Sequence, residues 1–205
     1  MLYSYVGIDL AWKSGAIVVL DQDLKIRTIE VPDFPQNIKW KNWNDFSNKL
    51  EVINHWKRAI EKLPRSNEIL HIQFFIEVMG NNKLFNYLAG YLTGIIASLN
   101  KVNVKVDLIE PNHWNKHLTN LKQRDQIKEA SLNFFKASET SWYAKFKDHP
   151  NLIDIADSYC IAYFGHIRKA SYEIKKRHRQ PTKNNRNQNT IKETKQRTIR
   201  QVKSI

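Results

Sequence analysis

The stretch Val6-Gly7-Ile8-Asp9-Leu10-Ala11-Trp12-Lys13-Ser14-Gly15-Ala16-Ile17-Val18-Val19-Leu20 decides the fold. Residues 3–10 are rich in aromatic and β-branched side chains, and 15–20 form a second short apolar run. Only the turn at Trp12-Lys13-Ser14 separates them, so the two runs pair as an antiparallel hairpin. Asp21-Gln22-Asp23 makes the next turn, and 25–31 alternates as a third strand. The chain thus opens with a three-strand meander.

Beyond the meander, 32–43 is irregular. A helix is predicted over 44–62, with Asn44 as N-cap, Phe46, Leu50, Ile53, Lys57 and Ile60 on one face, and Pro64 at its end. Ile-Leu-His-Ile-Gln-Phe-Phe-Ile-Glu-Val, 69–78, is apolar on both faces and reads as a central strand. A helix over 82–100 places Leu84, Leu88, Leu92, Ile95 and Leu99 on one side, and Val102, Val104, Val106 and Leu108 alternate as a fifth strand. Short and longer helices follow at 111–118 and 123–137, then a polar, aromatic loop over 138–149 and a last helix over 152–169. A meander followed by alternating strands and helices predicts an α/β fold of three layers, a five-stranded mixed sheet flanked by helices.

The net charge of +13 is unevenly spread. From His166 to Ile205 there are 13 Lys and Arg against Glu173 and Glu193 alone, whereas residues 1–165 are nearly neutral. The expected organisation is a folded domain over 1–170 and a basic tail over 171–205. Such a tail is a solvated, disordered extension, an arm that attracts polyanions by counterion release, or both. Cys160 is the only cysteine, which excludes a disulfide framework and a Cys-rich zinc site and suits a reducing compartment. No apolar run is long enough to span a membrane, and Met1-Leu2-Tyr3-Ser4 lacks the features of a signal peptide, so a cytoplasmic protein is expected.

Four acids interrupt apolar runs: Asp9 in Val-Gly-Ile-Asp-Leu-Ala, Glu77 in Phe-Phe-Ile-Glu-Val, and Asp154 and Asp157 in Leu-Ile-Asp-Ile-Ala-Asp. The last two are three apart and share one helix face. Each has an ordinary explanation: a strand-end cap, an edge ion pair, or acids in a first helical turn where the helix dipole favours them. Together they suggest more, because a charge within a buried element is costly unless paired or bound to metal. Four convergent carboxylates suit Mg²⁺ or Mn²⁺, hard cations that take oxygen ligands. Two such ions about 4 Å apart activate a water and stabilise the leaving oxygen in phosphodiester cleavage. No Ser-His-Asp or Cys-His arrangement and no Walker-type glycine loop competes.

Val6-Gly7-Ile8-Asp9 with Lys13-Ser14-Gly15-Ala16-Ile17 resembles the opening hairpin of RuvC-like Holliday junction resolvases, members of the RNase H-like nuclease superfamily. Ile76-Glu77, followed by a loop and a helix with Gly90 and Gly94, resembles their second motif. Asp154-Ile155-Ala156-Asp157-Ser158 resembles their closing Asp-x-x-Asp motif. The resemblance covers roughly residues 3–166. Leu10-Ala11 stand where many bacterial members carry Pro-Gly, a departure that favours a phage, viral or divergent branch over the cellular one.

The resemblance implies an RNase H-like fold. It makes Asp9, Glu77, Asp154 and Asp157 the catalytic acids, holding two Mg²⁺ or Mn²⁺ ions, and makes four-way DNA the substrate of a two-fold symmetric homodimer. It also gives DNA-contacting roles to Lys13, Met79, Phe85, Lys116 and Arg124. Surface charge for Lys116 and Arg124, and core packing for Phe85, are the plainer readings. Trp40 and Trp43 suit base stacking or anchoring of a loop. The helix over 82–100 is a candidate dimer interface through Gly90, Gly94 and Ala97, although packing on its own sheet explains the same small residues. A nuclease acting on forks, flaps or RNA–DNA hybrids, and a non-catalytic nucleic-acid-binding protein, are the two rival functions.

Overall fold

In the computed structural model, the described residues are 2–34, 46–63, 69–78, 83–98, 103–118 and 123–179. The strands are β1 Leu2–Leu10, β2 Gly15–Leu20, β3 Ile26–Glu30, β4 Ile69–Glu77 and β5 Asn103–Ile109. The helices are α1 Phe46–Glu61, α2 Lys83–Ser98, α3 Pro111–Leu118, α4 Arg124–Ser138, α5 Thr140–Phe146 and α6 Leu152–Arg179. The chain divides into a unit of residues 1–167, which carries the whole sheet, and a second unit of residues 168–205.

The expected mixed sheet is present, in the order β3-β2-β1-β4-β5. β1 and β2 form the antiparallel hairpin read from the sequence, with Asp9 opposite Ala16 and Leu10 opposite Gly15. β1 and β5 flank β4 in parallel. Side chains alternate between the two faces of each strand, and each face has its own core. Val6, Ile8, Leu10, Ile17, Val19, Phe74 and Ile76 pack against α1 and α2. Ala16, Val18, Leu20 and Phe75 pack on the opposite side with α3, α4 and α6. The result is the three-layer α/β architecture.

Several expectations shift. α1 buries Val52, Trp56, Ala59 and Ile60, while Leu50 and Lys57 are exposed, so its inner face is centred on Trp56 and keeps Ile60 of the expected row. Trp56 is fully buried and donates its indole N–H to the Ala11 carbonyl at 3.0 Å. α2 buries Phe85, Leu88, Ala89, Leu92 and Ile96. Its sequence is apolar on most sides, which leaves the orientation of the stripe open until the sheet selects it. Gly90 and Gly94 are exposed with open space beside them, so they do not serve packing on the sheet. Tyr87 and Tyr91 stand on the same outward side, 72% and 56% exposed.

The segment expected as a loop over 138–149 contains α5. Trp142 and Phe146, four apart, stack with ring centroids 6.1 Å apart and rest partly buried against the second core. α6 runs on to Arg179 instead of ending at Lys169. Ala, Glu, Lys and Arg sustain it and no glycine or proline intervenes before Pro181. Among the described residues no helix is long and apolar enough to cross a membrane.

Candidate active site

The site begins with the register of two parallel strands. Ile8 pairs with Ile76, and one step on, at the carboxyl ends of β1 and β4, come Asp9 and Glu77. Both lie on the face that carries Gly7 and Phe75 and packs against α6, because residues two apart on a strand share a face. Ligands of open α/β sheets gather at this end of the strands.

Gly7 brings the third partner close. A β-carbon there would lie 2.1 Å from the Ser158 carbonyl oxygen and 2.6 Å from the Ala162 nitrogen, so only glycine lets α6 lie directly on β1. Two hydrogen bonds pin the contact. The Asp9 backbone N–H donates to Ser158 Oγ at 3.1 Å, and that hydroxyl donates to the Ala16 carbonyl at 2.8 Å. A third comes from Gly15, whose N–H donates to Asp154 Oδ2 at 3.0 Å. Gly15 has a φ of +124°, a conformation open to glycine, and its own β-carbon would strike the Asp9 carbonyl and Trp56. Asp154 also accepts from Asn151 Nδ2 at 3.2 Å.

The electrostatics tie the four acids into one cluster. Burial pushes the Asp9 carboxyl well above its ordinary value, and the charges of Glu77, Asp157 and Asp154 push it further, against the opposing charge of Lys128. Asp9 nonetheless keeps part of its surface open to solvent, as does Asp157. Burial raises Glu77, opposed by its hydrogen bond from Trp114 and by the charge of Arg124. Asp157 is pushed up to about 7, chiefly by burial and then by Glu77 and Asp154, against the Ser131 hydrogen bond and Lys128.

Two of the acids are held by neutral donors from the helices outside α6. Trp114 of α3 donates its indole N–H to Glu77 Oε1 at 2.8 Å. Ser131 of α4, fully buried, donates to Asp157 Oδ1, and its Oγ also lies 3.0 Å from the Lys128 carbonyl.

Crowded carboxylates that resist ionisation together form a donor set suited in chemistry to a hard cation. The side-chain directions do not close on one: among the described residues, no three Asp, Glu, His or Cys side chains are arranged to hold an ion between them. Trp114, Ser131, Asn151 and the Gly15 amide each donate to an oxygen of one of these acids.

The other sequence-predicted residues separate. Arg124, exposed at the start of α4, acts electrostatically on Glu77. Lys13 is exposed on the β1–β2 turn and Lys116 on α3. Phe85 is buried in the core shared by α1 and α2, which fits packing, the plainer of its two readings. Met79, Trp40 and Trp43 lie outside the described residues. Trp114, Lys128 and Ser131 were not singled out in the sequence. Nothing in the local pattern of α3 or α4 marks them, since their role comes from tertiary contact with Glu77, Asp9 and Asp157.

No family model matches the sequence, and no curated protein matches it. Among solved structures the chain is similar to T. thermophilus RuvC in complex with Holliday junction substrate. The identity is 13%, the match covers 83% of this chain and 96% of that chain, and the TM-score is 0.52. At that identity the likeness concerns the fold, and the chain has the RNase H-like α/β fold.

Proposed function

We propose that the chain is a divalent-metal-dependent endonuclease that resolves four-way DNA junctions. One observation carries the reading. Asp9, Glu77, Asp154 and Asp157, from three separate elements of an RNase H-like fold, lie close enough that each of the other three raises the Asp9 pKa. A divalent cation bound there supplies a polarised water nucleophile and positive charge for the leaving oxygen.

The chain's own residues supply the rest. The four carboxylates are the residues that would hold the cation. Arg124 and Lys128 offset part of the negative charge where a phosphate must approach. Lys13 and Lys116, exposed on the β1–β2 turn and on α3, suit contacts to the DNA backbone.

A junction presents two equivalent strands, which a homodimer would cut in pair. The outward side of α2, with Tyr87, Gly90, Tyr91 and Gly94, is the self-complementary surface we assign to it. The basic residues beyond His166 would add affinity without sequence preference.

The test is cleavage of a synthetic four-way junction in Mg²⁺ beside a linear duplex, a fork and an RNA–DNA hybrid of the same sequence. Symmetric nicking of the junction, with the others cut at least about tenfold more slowly, is expected. Equal cutting of a fork or hybrid would overturn junction selectivity and leave a nuclease of broader substrate.

A further inference from the structure

The four acids explain charge and chemistry, but not why Glu77 and Asp157 point as they do. α3 begins two residues after β5 ends, and β5 pairs with β4 to its last residue, Ile109 opposite Glu77. That short connection turns the first helical turn of α3 back over the strand end. It seats Trp114, 3% exposed, against Glu77, 7% exposed. An indole N–H donates and cannot accept, so it commits Glu77 Oε1 and leaves Oε2. On the other side of the site the Ser131 hydroxyl, fully buried on α4, reaches Asp157 Oδ1. Its single proton has two acceptors in range, Asp157 and the Lys128 carbonyl, and an ionised carboxylate is the stronger of the two.

We propose that Trp114 and Ser131 are positioning residues for a divalent cation: each ties down one oxygen of one acid, Glu77 Oε1 and Asp157 Oδ1, and so leaves the other, Glu77 Oε2 and Asp157 Oδ2, for the ion. The inference rests on the metal-dependent reading above. Neither residue touches substrate. Both act through the carboxylate they hold, as outer partners of metal ligands generally do, and losing such a partner typically costs about ten- to a hundredfold in metal affinity.

The experiment measures Mn²⁺ binding to the full chain by titration calorimetry, alongside the Mn²⁺ dependence of junction cleavage. The proteins are wild type, Trp114→Phe, Ser131→Ala and Ser131→Thr. Phe keeps the packing of the indole and removes its proton, whereas Thr keeps the hydroxyl.

Trp114→Phe and Ser131→Ala should each weaken Mn²⁺ binding about tenfold or more. The half-saturating metal for cleavage should shift by the same factor, and Ser131→Thr should remain near wild type. A purely structural role would lower the melting temperature without moving metal affinity. Should Trp114→Phe fail to fold, the Ser131→Ala and Ser131→Thr pair decides. Folded variants that bind Mn²⁺ as tightly as wild type overturn the positioning role alone. A wild-type chain that binds no Mn²⁺ overturns the metal-dependent reading and this one with it.

Discussion

Asp9 and Ser158, 149 residues apart, are joined by a 3.1 Å hydrogen bond from the Asp9 backbone N–H to the serine hydroxyl, which in turn donates to Ala16. The bond fastens α6 to the β1–β2 hairpin beside the acids, so the last helix carries Asp154 and Asp157 to the strand that carries Asp9. Removing the hydroxyl leaves a buried amide and a carbonyl without that partner, a loss of about 1–3 kcal/mol. Ser158→Ala should therefore lower stability by that amount in denaturant unfolding, and cleavage should fall with it as the α6 acids lose register. Unchanged stability would show that the bond does not hold the helix.

Gly7 tests the same contact more severely. An added methyl meets two backbone atoms of α6 at well under 3 Å, and backbone cannot swing aside as a flexible side chain can. Gly7→Ala should destabilise the fold by at least about 3 kcal/mol, beyond the 1–3 typical of overpacking. A soluble variant should also lose cleavage. Near-wild-type melting and activity would mean that α6 does not lie directly on β1.

The hairpin, the central strand and the order of the later elements are legible in the sequence because apolar runs of strand length are separated by turn residues. The four acids are legible for a related reason: each breaks such a run. What a run cannot show is which side of an apolar helix meets the sheet: α2 buries Phe85, Ala89 and Ile96 beside the expected Leu88 and Leu92, and Ile95 only in part. α5 is not legible in the sequence because Trp142 and Phe146, its two anchors, sit among Ser, Thr and Lys over barely two turns. Trp114 and Ser131 were illegible altogether. Their partners lie 37 and 26 residues away, and only the short β5–α3 connection and the packing of α4 on α6 bring them together.

Crowding of the acids sets a pH dependence for the metal-free protein. A carboxyl raised on folding keeps its proton in the folded chain after the unfolded chain has lost it. The folded state therefore binds more protons between the two values, and stability falls as pH rises through that window. For Asp157 the window runs from 3.8 to about 7. Asp9 and Glu77 are raised in the same direction.

Without divalent metal the protein should melt several degrees higher at pH 5 than at pH 8, and Mg²⁺ at pH 8 should recover much of the difference. Asp9→Asn should stabilise the metal-free protein at pH 8 by about 1–2 kcal/mol, since it removes a crowded charge. Melting curves that rise from pH 5 to pH 8 without metal would contradict the crowding.

The outward side of α2 bears on assembly. Exposed tyrosines are inexpensive to replace, with stability effects of about 0.5 kcal/mol or less. Tyr87→Glu combined with Tyr91→Glu should leave the melting temperature nearly unchanged and convert a dimer to monomer in sedimentation velocity. A dimer that survives both changes would place the interface elsewhere.

The most direct measurement is single-turnover cleavage of a four-way junction in saturating Mg²⁺ by wild type, Asp9→Asn and Asp157→Asn. All three should be folded, and the two variants should keep junction binding within a few-fold. Both should lose cleavage by at least about a thousandfold, a barrier rise of roughly 4 kcal/mol. Cleavage by either variant at the wild-type rate would contradict the assignment of these carboxylates to catalysis.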